Sequence, residues 1–435
     1  MQPPLLFDAV LFDLDGTLVA TDRFWIQAAR TGARRAFEEL ELERELPSRD
    51  EWLGLIGHGL EEGFRTLFRD LGEGAWRHVL ARCQEEENRL LATGGAVLMP
   101  GAREVLTELT VQGARLGIAS NCARDYLDHM LVELGLADTV HDAYCLDSVG
   151  ITDKADMLFQ LLRTFGTRSA VMIGDRAGDR NASWANGLPH VHCAFGFAGE
   201  TESVEAEASI EDLGELQGVL ARRGRWIEGT LRKIGLAFDG RGPMVVGITG
   251  GLASGKSLFA RDAARLLRAH GQPAVAVSLE GFRQRSGTRA RSAGGPEAIY
   301  DLERLEREVL APHQAGAPLR LPPEAGLDGN EGRVVPEDAV LLLEGPFLLD
   351  PRLQRHLDRA LYLEVPDEIL WRRLQGREGR EQSLDALELV RGERLPSLAA
   401  HRERYDPGRL ADLVLDGSNP LGPDGSPWQC PESST

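Results

Sequence analysis

Short apolar runs that end in a polar residue, with helix-patterned stretches between them, constrain this chain more than any other feature. "VLFDLD" (10–15), "LGIAS" (116–120) and "VMIGD" (171–175) form one such series. A second begins with "MVVGIT" at Met244, continues through "AVAVSLE" (274–280) and "VLLLEG" (340–345), and closes with "ADLVLDG" (411–417). Alternation of this kind predicts βα units and parallel sheets. A chain of 435 residues is long for one domain of roughly 100–200 residues. Between the two series the sequence turns acidic and then basic before Gly242-Pro243. The expected organisation is an α/β domain over 1–220 with a helical insertion at about 19–95, a helical linker over 221–242, a second α/β domain over 243–420, and a Pro/Gly/Ser-rich tail over 421–435.

Composition narrows the function classes. The net charge of −19 repels polyanions, whose binding depends on neutralising phosphates with Lys and Arg, so a nucleic-acid partner is disfavoured. The five cysteines, Cys83, Cys122, Cys145, Cys193 and Cys430, show no metal-ligand spacing and read as free thiols. The N-terminal stretch lacks a basic region, and its apolar run is broken by Asp8 and Asp13, unlike a signal peptide. The apolar run "AVLLLEGPFLL" is too short for a bilayer. A cytoplasmic protein without membrane partners is expected.

"LFDLDGTL" places Asp13 and Asp15 two apart at a strand end, where a turn can aim both into one pocket. Two carboxylates so close repel unless a cation lies between them, and a hard ion such as Mg²⁺ suits oxygen ligands. Ser120 ends the next run, Lys154 opens a helical stretch, and Asp175 ends a third run with Asp179 four residues on. In this order the motifs resemble those of the haloacid dehalogenase superfamily of phosphatases, over about residues 7–200. The resemblance implies a Rossmann-like parallel sheet and a nucleophilic Asp13 that forms an aspartyl-phosphate. It makes Asp15 general acid and base, Ser120 a donor to the phosphoryl oxygens, and Lys154 the charge that offsets nucleophile and phosphate together. It assigns Mg²⁺ to Asp13, the main-chain oxygen of Asp15, Asp175 and Asp179. The insertion is similar to the helical cap of the phosphoglycolate phosphatase and β-phosphoglucomutase branch, with Gly57, His58 and Gly59 in its substrate loop. Hydrolysis and mutase chemistry both stay open.

"GGLASGKS" (250–257) fits the phosphate-binding pattern GxxxxGK[ST] between a β run and a helical run. Main-chain N–H groups around Gly250, Gly251, Ser254 and Gly255 are read as the phosphate cradle. Lys256 is read as reaching the β- and γ-phosphates of ATP, and Ser257 as a Mg²⁺ ligand. With the strands ending at Glu280 and Glu344, this half resembles the uridine kinase and phosphoribulokinase group of P-loop kinases, a three-layer α/β fold. The resemblance makes Glu280 the base for an acceptor hydroxyl and Tyr300 and Asp301 acceptor contacts. Glu344 joins Ser257 at the metal. Arg372, Arg373, Arg377 and Arg380 become a lid over the nucleotide. Glu280 stands where that group carries Asp, and Glu378 replaces Asp in the lid. The loop itself is close to that of dephospho-CoA kinases. Arg283, Arg285, Arg289 and Arg291 form a basic cluster suited to a phosphorylated acceptor, or simply a basic loop.

The sequence therefore predicts a Mg²⁺-dependent phosphatase of a small phosphorylated metabolite joined to an ATP-dependent kinase of a small hydroxyl acceptor such as a nucleoside or sugar. Three alternatives stay open. One is polynucleotide end repair, whose animal enzymes resemble this pairing of DxDGT phosphatase and P-loop kinase. The others are a dephospho-CoA kinase-like second half and a phosphatase carrying a nucleotide-sensing domain.

Overall fold

The computed structural model describes residues 4–57, 59–199, 202, 204–236, 243–284, 299–317, 319–327, 334–381, 391–392 and 395–423, without the side chains of 377–381. The chain divides into two compact units, Phe7–Val219 and Met1–Leu6 with Leu220–Thr435.

In the first unit, β1 (Ala9–Phe12), β2 (Arg115–Ser120), β3 (Asp142–Cys145), β4 (Ala170–Gly174), β5 (His190–Cys193) and β6 (Ala208–Ile210) form one sheet in the order β3-β2-β1-β4-β5-β6. Every pairing is parallel. β1 and β4 are buried along their whole length, as a strand covered on both faces must be. Phe12 pairs with Ile118 on one side and Ile173 on the other. The carboxyl ends of β1, β2 and β4 therefore lie level. The chain order reverses at β1, and that crevice is where open α/β sheets place ligands.

Helices α1 (Asp22–Glu39), α2 (Arg49–Leu53), α3 (Leu60–Leu67) and α4 (Glu73–Leu91) form the insertion after β1. The chain leaves and re-enters through a two-stranded neck, in which Ala20 N donates to Val97 O (2.9 Å) and Met99 N to Leu18 O (2.8 Å). Trp25, Trp52, Phe64 and Phe68 pack edge-on and tilted inside it, with ring centroids 5.7–6.4 Å apart. Such aromatic pairs contribute about 0.5–1.5 kcal/mol each beyond area burial. At Gly32 an added Cβ would stand 2.5 Å from the Cys83 backbone, so α1 and α4 touch almost backbone to backbone. α5 (Ala102–Val111), α6 (Arg124–Glu133), α7 (Lys154–Phe165) and α8 (Ala177–Trp184) complete the unit.

The segment expected as a helical linker carries α9 (Leu216–Lys233), which buries Ile227 and Leu231 in a core of the second unit. Its Arg223 pairs with Asp262 at 2.6 Å, both side chains buried. The four-residue spacing of Ile227 and Leu231 gives one helix face something to bury.

In that second unit β7 (Met244–Gly250), β8 (Ala274–Ser278), β11 (Val340–Glu344), β12 (Arg359–Glu364) and β13 (Leu413–Asp416) form a parallel sheet ordered β13-β12-β7-β11-β8. The short strands β9 (Leu319–Arg320) and β10 (Val334–Val335) pair antiparallel. α10 (Lys256–Ala269) follows β7 and packs Phe259, Ala263 and Leu267 on one face of the sheet. Phe282, Leu305, Val309 and Leu353 cover the other. α11 (Asp367–Glu381) follows β12. No helix among the described residues is long and apolar enough to cross a membrane.

Candidate functional site

Asp13 is the first residue past β1, and its N–H donates to Ile173 O of β4 (2.9 Å). Its carboxylate is buried, as are those of Asp175, just past β4, and Asp179, in the first turn of α8. One oxygen from each of these three lies within 4.8 Å of the others. Lys154, the first residue of α7, enters the group from the side. Its ammonium donates to Asp13 Oδ1 (2.8 Å) and Asp179 Oδ1 (2.6 Å). Asp179 Oδ2 accepts from Arg176 N (2.9 Å), and Asp175 Oδ2 from Phe197 N (2.6 Å).

Glycines let the acids come together. Gly16 has φ +81°, and a Cβ there would sit 2.5 Å from Asp175 Oδ2. Cβ atoms at Gly174 and Gly196 would overlap Asp179 and Asp175. The turn after β1 and the strand end at β4 must be side-chain-free for the carboxylates to meet.

Burial raises the Asp13 pKa to about 7, with Asp179 and Asp15 adding to the shift and Lys154 opposing it. Asp175 is raised well above the usual range, first by burial and then by Asp13 and Asp179. Burial disfavours the Lys154 ammonium, but the facing Asp13 and Asp179 more than offset that and hold its pKa above the ordinary value. Lys154 thus pairs with two of the three buried acids, and the cation that acts on Asp175 is Arg176. Asp13 Oδ2 and Asp175 Oδ1 are buried without a hydrogen-bond partner. Orphaned carboxylate oxygens so close together fit a hard divalent ion, which prefers anionic oxygen donors.

Asp15 stands beside this group. Thr21 Oγ1 (2.5 Å) and Tyr126 OH (2.7 Å) both donate to its Oδ1, and the Ser120 hydroxyl also bonds to it. Burial raises its pKa, against the pull of these donors and of Lys154. The structure thus brings Asp13, Asp15, Ser120, Lys154, Asp175 and Asp179 together. The Asp15 side chain is outside the three-carboxylate cluster.

Sequence reasoning missed several neighbours. Tyr126 lies in α6, 111 residues from the acid it bonds. Glu87, on the inner face of α4, is buried, and that burial with the nearby Asp15 raises its pKa to about 8. Arg176 and Asn121, each next to a named site residue, donate to cap carbonyls at Ile56 and Gly57. The only sequence signal for these last two was adjacency to Asp175 and Ser120. His58 lies outside the described residues.

In the second unit Gly250 to Ser257 turn between β7 and α10. A Cβ at Gly250 would meet Leu363 O at 2.5 Å, and one at Gly251 the Leu370 side chain at 2.8 Å. Gly255, with φ +93°, caps α10. Lys256 Nζ donates to Gly251 O (2.6 Å) and lies 3.5 Å from the buried Ser254 Oγ. Glu344, at the end of β11, bonds Ser278 Oγ. Burial raises its pKa, while Lys256, Ser278 and Ser257 beside it oppose the shift. Glu280 accepts from Tyr300 OH (2.5 Å) and has Arg283 at 4.0 Å. Asp301 instead caps the following helix, accepting from Arg304 N. Arg373 donates to Gly417 O (3.0 Å) and Ser418 O (2.6 Å). The side chains of Arg377 and Arg380 and residues Arg285, Arg289 and Arg291 lie outside the described residues, as does Cys430. The other four cysteines are free.

A capped parallel α/β unit with acids past two neighbouring strand ends and in the helix that follows, gathered around one buried lysine, defines a class of hydrolase. Residues 10–192 match the model of the haloacid dehalogenase-like hydrolases. The chain is 30% identical over 222 residues to the phosphoglycolate phosphatase of Rhodospirillum rubrum, covering 48% of this chain and 88% of that protein. It is 26% identical over 196 residues to the Yersinia pseudotuberculosis phosphoglycolate phosphatase, covering 43% and 81%. It is 28% identical over 245 residues to the ribulose-1,5-bisphosphate 5-phosphatase of Halopiger xanaduensis, covering 49% and 99%. The chain belongs to the haloacid dehalogenase superfamily, and its first unit is a phosphatase of that superfamily.

Proposed function

We propose that the first unit hydrolyses a small phosphate monoester of the phosphoglycolate class through an aspartyl-phosphate on Asp13. The observation that carries this is the Lys154 ammonium held between Asp13 and Asp179, with carboxylate oxygens of Asp13 and Asp175 left unpartnered beside it. The names of the relatives support the substrate class.

Asp13 attacks phosphorus, and the bond to the leaving alkoxide breaks. Asp15, its pKa raised by burial, gives that alkoxide a proton. Thr21 and Tyr126 hold Oδ1 of Asp15, so the proton passes from Oδ2. Asp15 then takes a proton from water, which attacks the phosphoryl group, releases orthophosphate and restores the Asp13 carboxylate. Lys154 offsets charge as negative oxygens gather. Ser120 lies within reach of both Asp15 and the phosphoryl group. Asp13, Asp175 and Asp179, with the main-chain oxygen of Asp15, would hold Mg²⁺. When bound, that ion supplies positive charge that lets an anionic ester approach the aspartate.

The second unit is read as an ATP-dependent kinase of a small hydroxyl acceptor, a nucleoside or a sugar. Local features favour this: a glycine-rich turn opening a helix, Lys256 folded onto that turn, and Ser257 and Glu344 side by side. Glu280, with Tyr300 donating to it, is the acceptor base in this reading.

Phosphate release from phosphorylated metabolites with Mg²⁺, including 2-phosphoglycolate, tests the first activity. Asp13→Asn should abolish it, and an Asp13→Asn variant as active as the parent refutes it. ATP binding measured calorimetrically on the intact protein tests the second. Binding should be lost in Lys256→Ala, and its absence from the parent overturns the kinase reading.

A further inference from the structure

The cap loop between α2 and α3 makes two contacts that the reaction chemistry does not use. Arg176 Nη1 donates to Ile56 O at 2.5 Å, and Asn121 Nδ2 donates to Gly57 O at 2.9 Å. Each donor directly follows a residue of the site: Arg176 follows Asp175, and Asn121 follows Ser120. The acceptors are adjacent main-chain carbonyls, so the loop is gripped along one peptide unit from two strand ends.

The grip is built from both sides. Gly57 has φ +85°, and a Cβ there would stand 3.2 Å from Arg176 Cγ, so the loop lies directly on the arginine stem. The guanidinium is turned by Glu202, whose Oε2 lies 2.8 Å from Arg176 Nε. Glu202 Oε1 accepts from Ala177 N at 2.7 Å and so fixes that carboxylate on the loop leading into α8. Arg176 is buried, and its own N–H donates to Asp179 Oδ2 (2.9 Å). The residue that reaches the cap thus also orders one of the three clustered acids. The two neck segments at 18–20 and 97–99, through which the chain enters and leaves the cap, are hydrogen-bonded to each other.

We propose that Arg176 and Asn121 form a two-point latch that holds the cap loop 54–57 closed over the Asp13 site, and that both are positioning residues for hydrolysis. Closure then reports directly to the Ser120 and Asp175 loops. A cap that opens without these bonds leaves Asp13, Lys154 and Asp175 in place but wet. This role rests on the phosphatase reading for its consequence in turnover, though not for the closure itself.

The test is amide hydrogen exchange on the full-length protein, comparing the parent with Arg176→Ala, Arg176→Lys and Asn121→Ala. A hydrogen bond of ordinary net strength changes an opening equilibrium by about two- to tenfold. Peptides covering 49–67 should exchange faster by about that factor in each alanine variant, while peptides of β1 and β4 exchange as in the parent. Arg176→Lys, which can still reach Ile56 O, should recover part of the protection. With 2-phosphoglycolate, KM should rise by a similar factor with kcat changed less, because only the closed fraction binds productively. Unchanged exchange over 49–67 in both alanine variants overturns the latch. So does faster exchange spread evenly over β1 and β4, which would mark Arg176 and Asn121 as merely structural. Should Arg176→Ala not fold, Asn121→Ala tests the same closure through the other contact. A parent that releases no phosphate from any ester defeats the phosphatase reading, while the exchange result still decides the latch.

Discussion

Replacing Lys154 by methionine tests the electrostatic account of the first unit most directly. The side chain is buried, as are Asp13 and Asp179, which it pairs at 2.8 and 2.6 Å. Methionine keeps most of the volume and removes the charge. Breaking a buried pair by deleting one partner costs about 3–5 kcal/mol, because the remaining charge is left uncompensated. Here two carboxylates remain, with oxygens no more than 4.8 Å apart. If both stayed ionised they would repel by about 3–4 kcal/mol at an effective dielectric of 20. Taking up a proton is cheaper, and Asp13, already at about 7, is the group that takes it. The sign follows. A carboxyl whose folded pKa lies above its unfolded value favours the folded state at low pH and opposes it as pH rises through the folded pKa. Removing Lys154, which holds the Asp13 pKa down, raises it further, so the variant's deficit should be larger at pH 8 than at pH 5.5. For a unit of this size, 1 kcal/mol corresponds to about 2–4 °C. Calorimetric melting without Mg²⁺ should show the transition of the first unit about 6–20 °C lower at pH 8, with a visibly smaller drop at pH 5.5. A loss under 2 °C at pH 8, or an equal loss at both pH values, refutes the reasoning.

Two further outcomes follow from the same cluster and its surroundings. Mg²⁺ and protons compete for the Asp13 and Asp175 oxygens, so the Mg²⁺-induced rise in melting temperature should be large at pH 8 and nearly absent at pH 6, read by melting curves with and without the ion. Burial lowers the His190 pKa to about 4, and neither ring nitrogen has a hydrogen-bond partner. The unfolded chain binds that proton first, so the site loses stability as pH falls from about 6.5 to about 4. His190→Leu should melt with a shallower acid limb than the parent, and an unchanged limb removes His190 from the account.

The parallel strands were legible because a strand buried on both faces must be written as a continuous apolar run, and the site residues stand where those runs stop. Asp13, Ser120, Asp175 and the glycines beside them are marked in the chain by that abrupt change of chemistry. The same logic located Gly250–Ser257 and Glu344. For Arg373, which the sequence offers as a lid residue, the structure adds the Gly417 and Ser418 carbonyls as partners. A guanidinium binds a carbonyl as readily as a phosphate, and nothing local says which lies opposite. The stretch before Met244 reads as a helical linker in the sequence, but that its Ile227 and Leu231 join a core is decided only when the second sheet is present.

The sequence by itself determined the sheet architecture and the acids that line its strand ends, since both follow from local periodicity and its interruptions. Only the tertiary structure decided which donors serve those acids. Tyr126 reaches Asp15 across 111 residues. Arg176 crosses 120 residues to the carbonyl of Ile56. These contacts rest on the level strand ends and the returning cap. A hydrogen bond is satisfied by proximity and angle, which exist only once the chain has closed on itself.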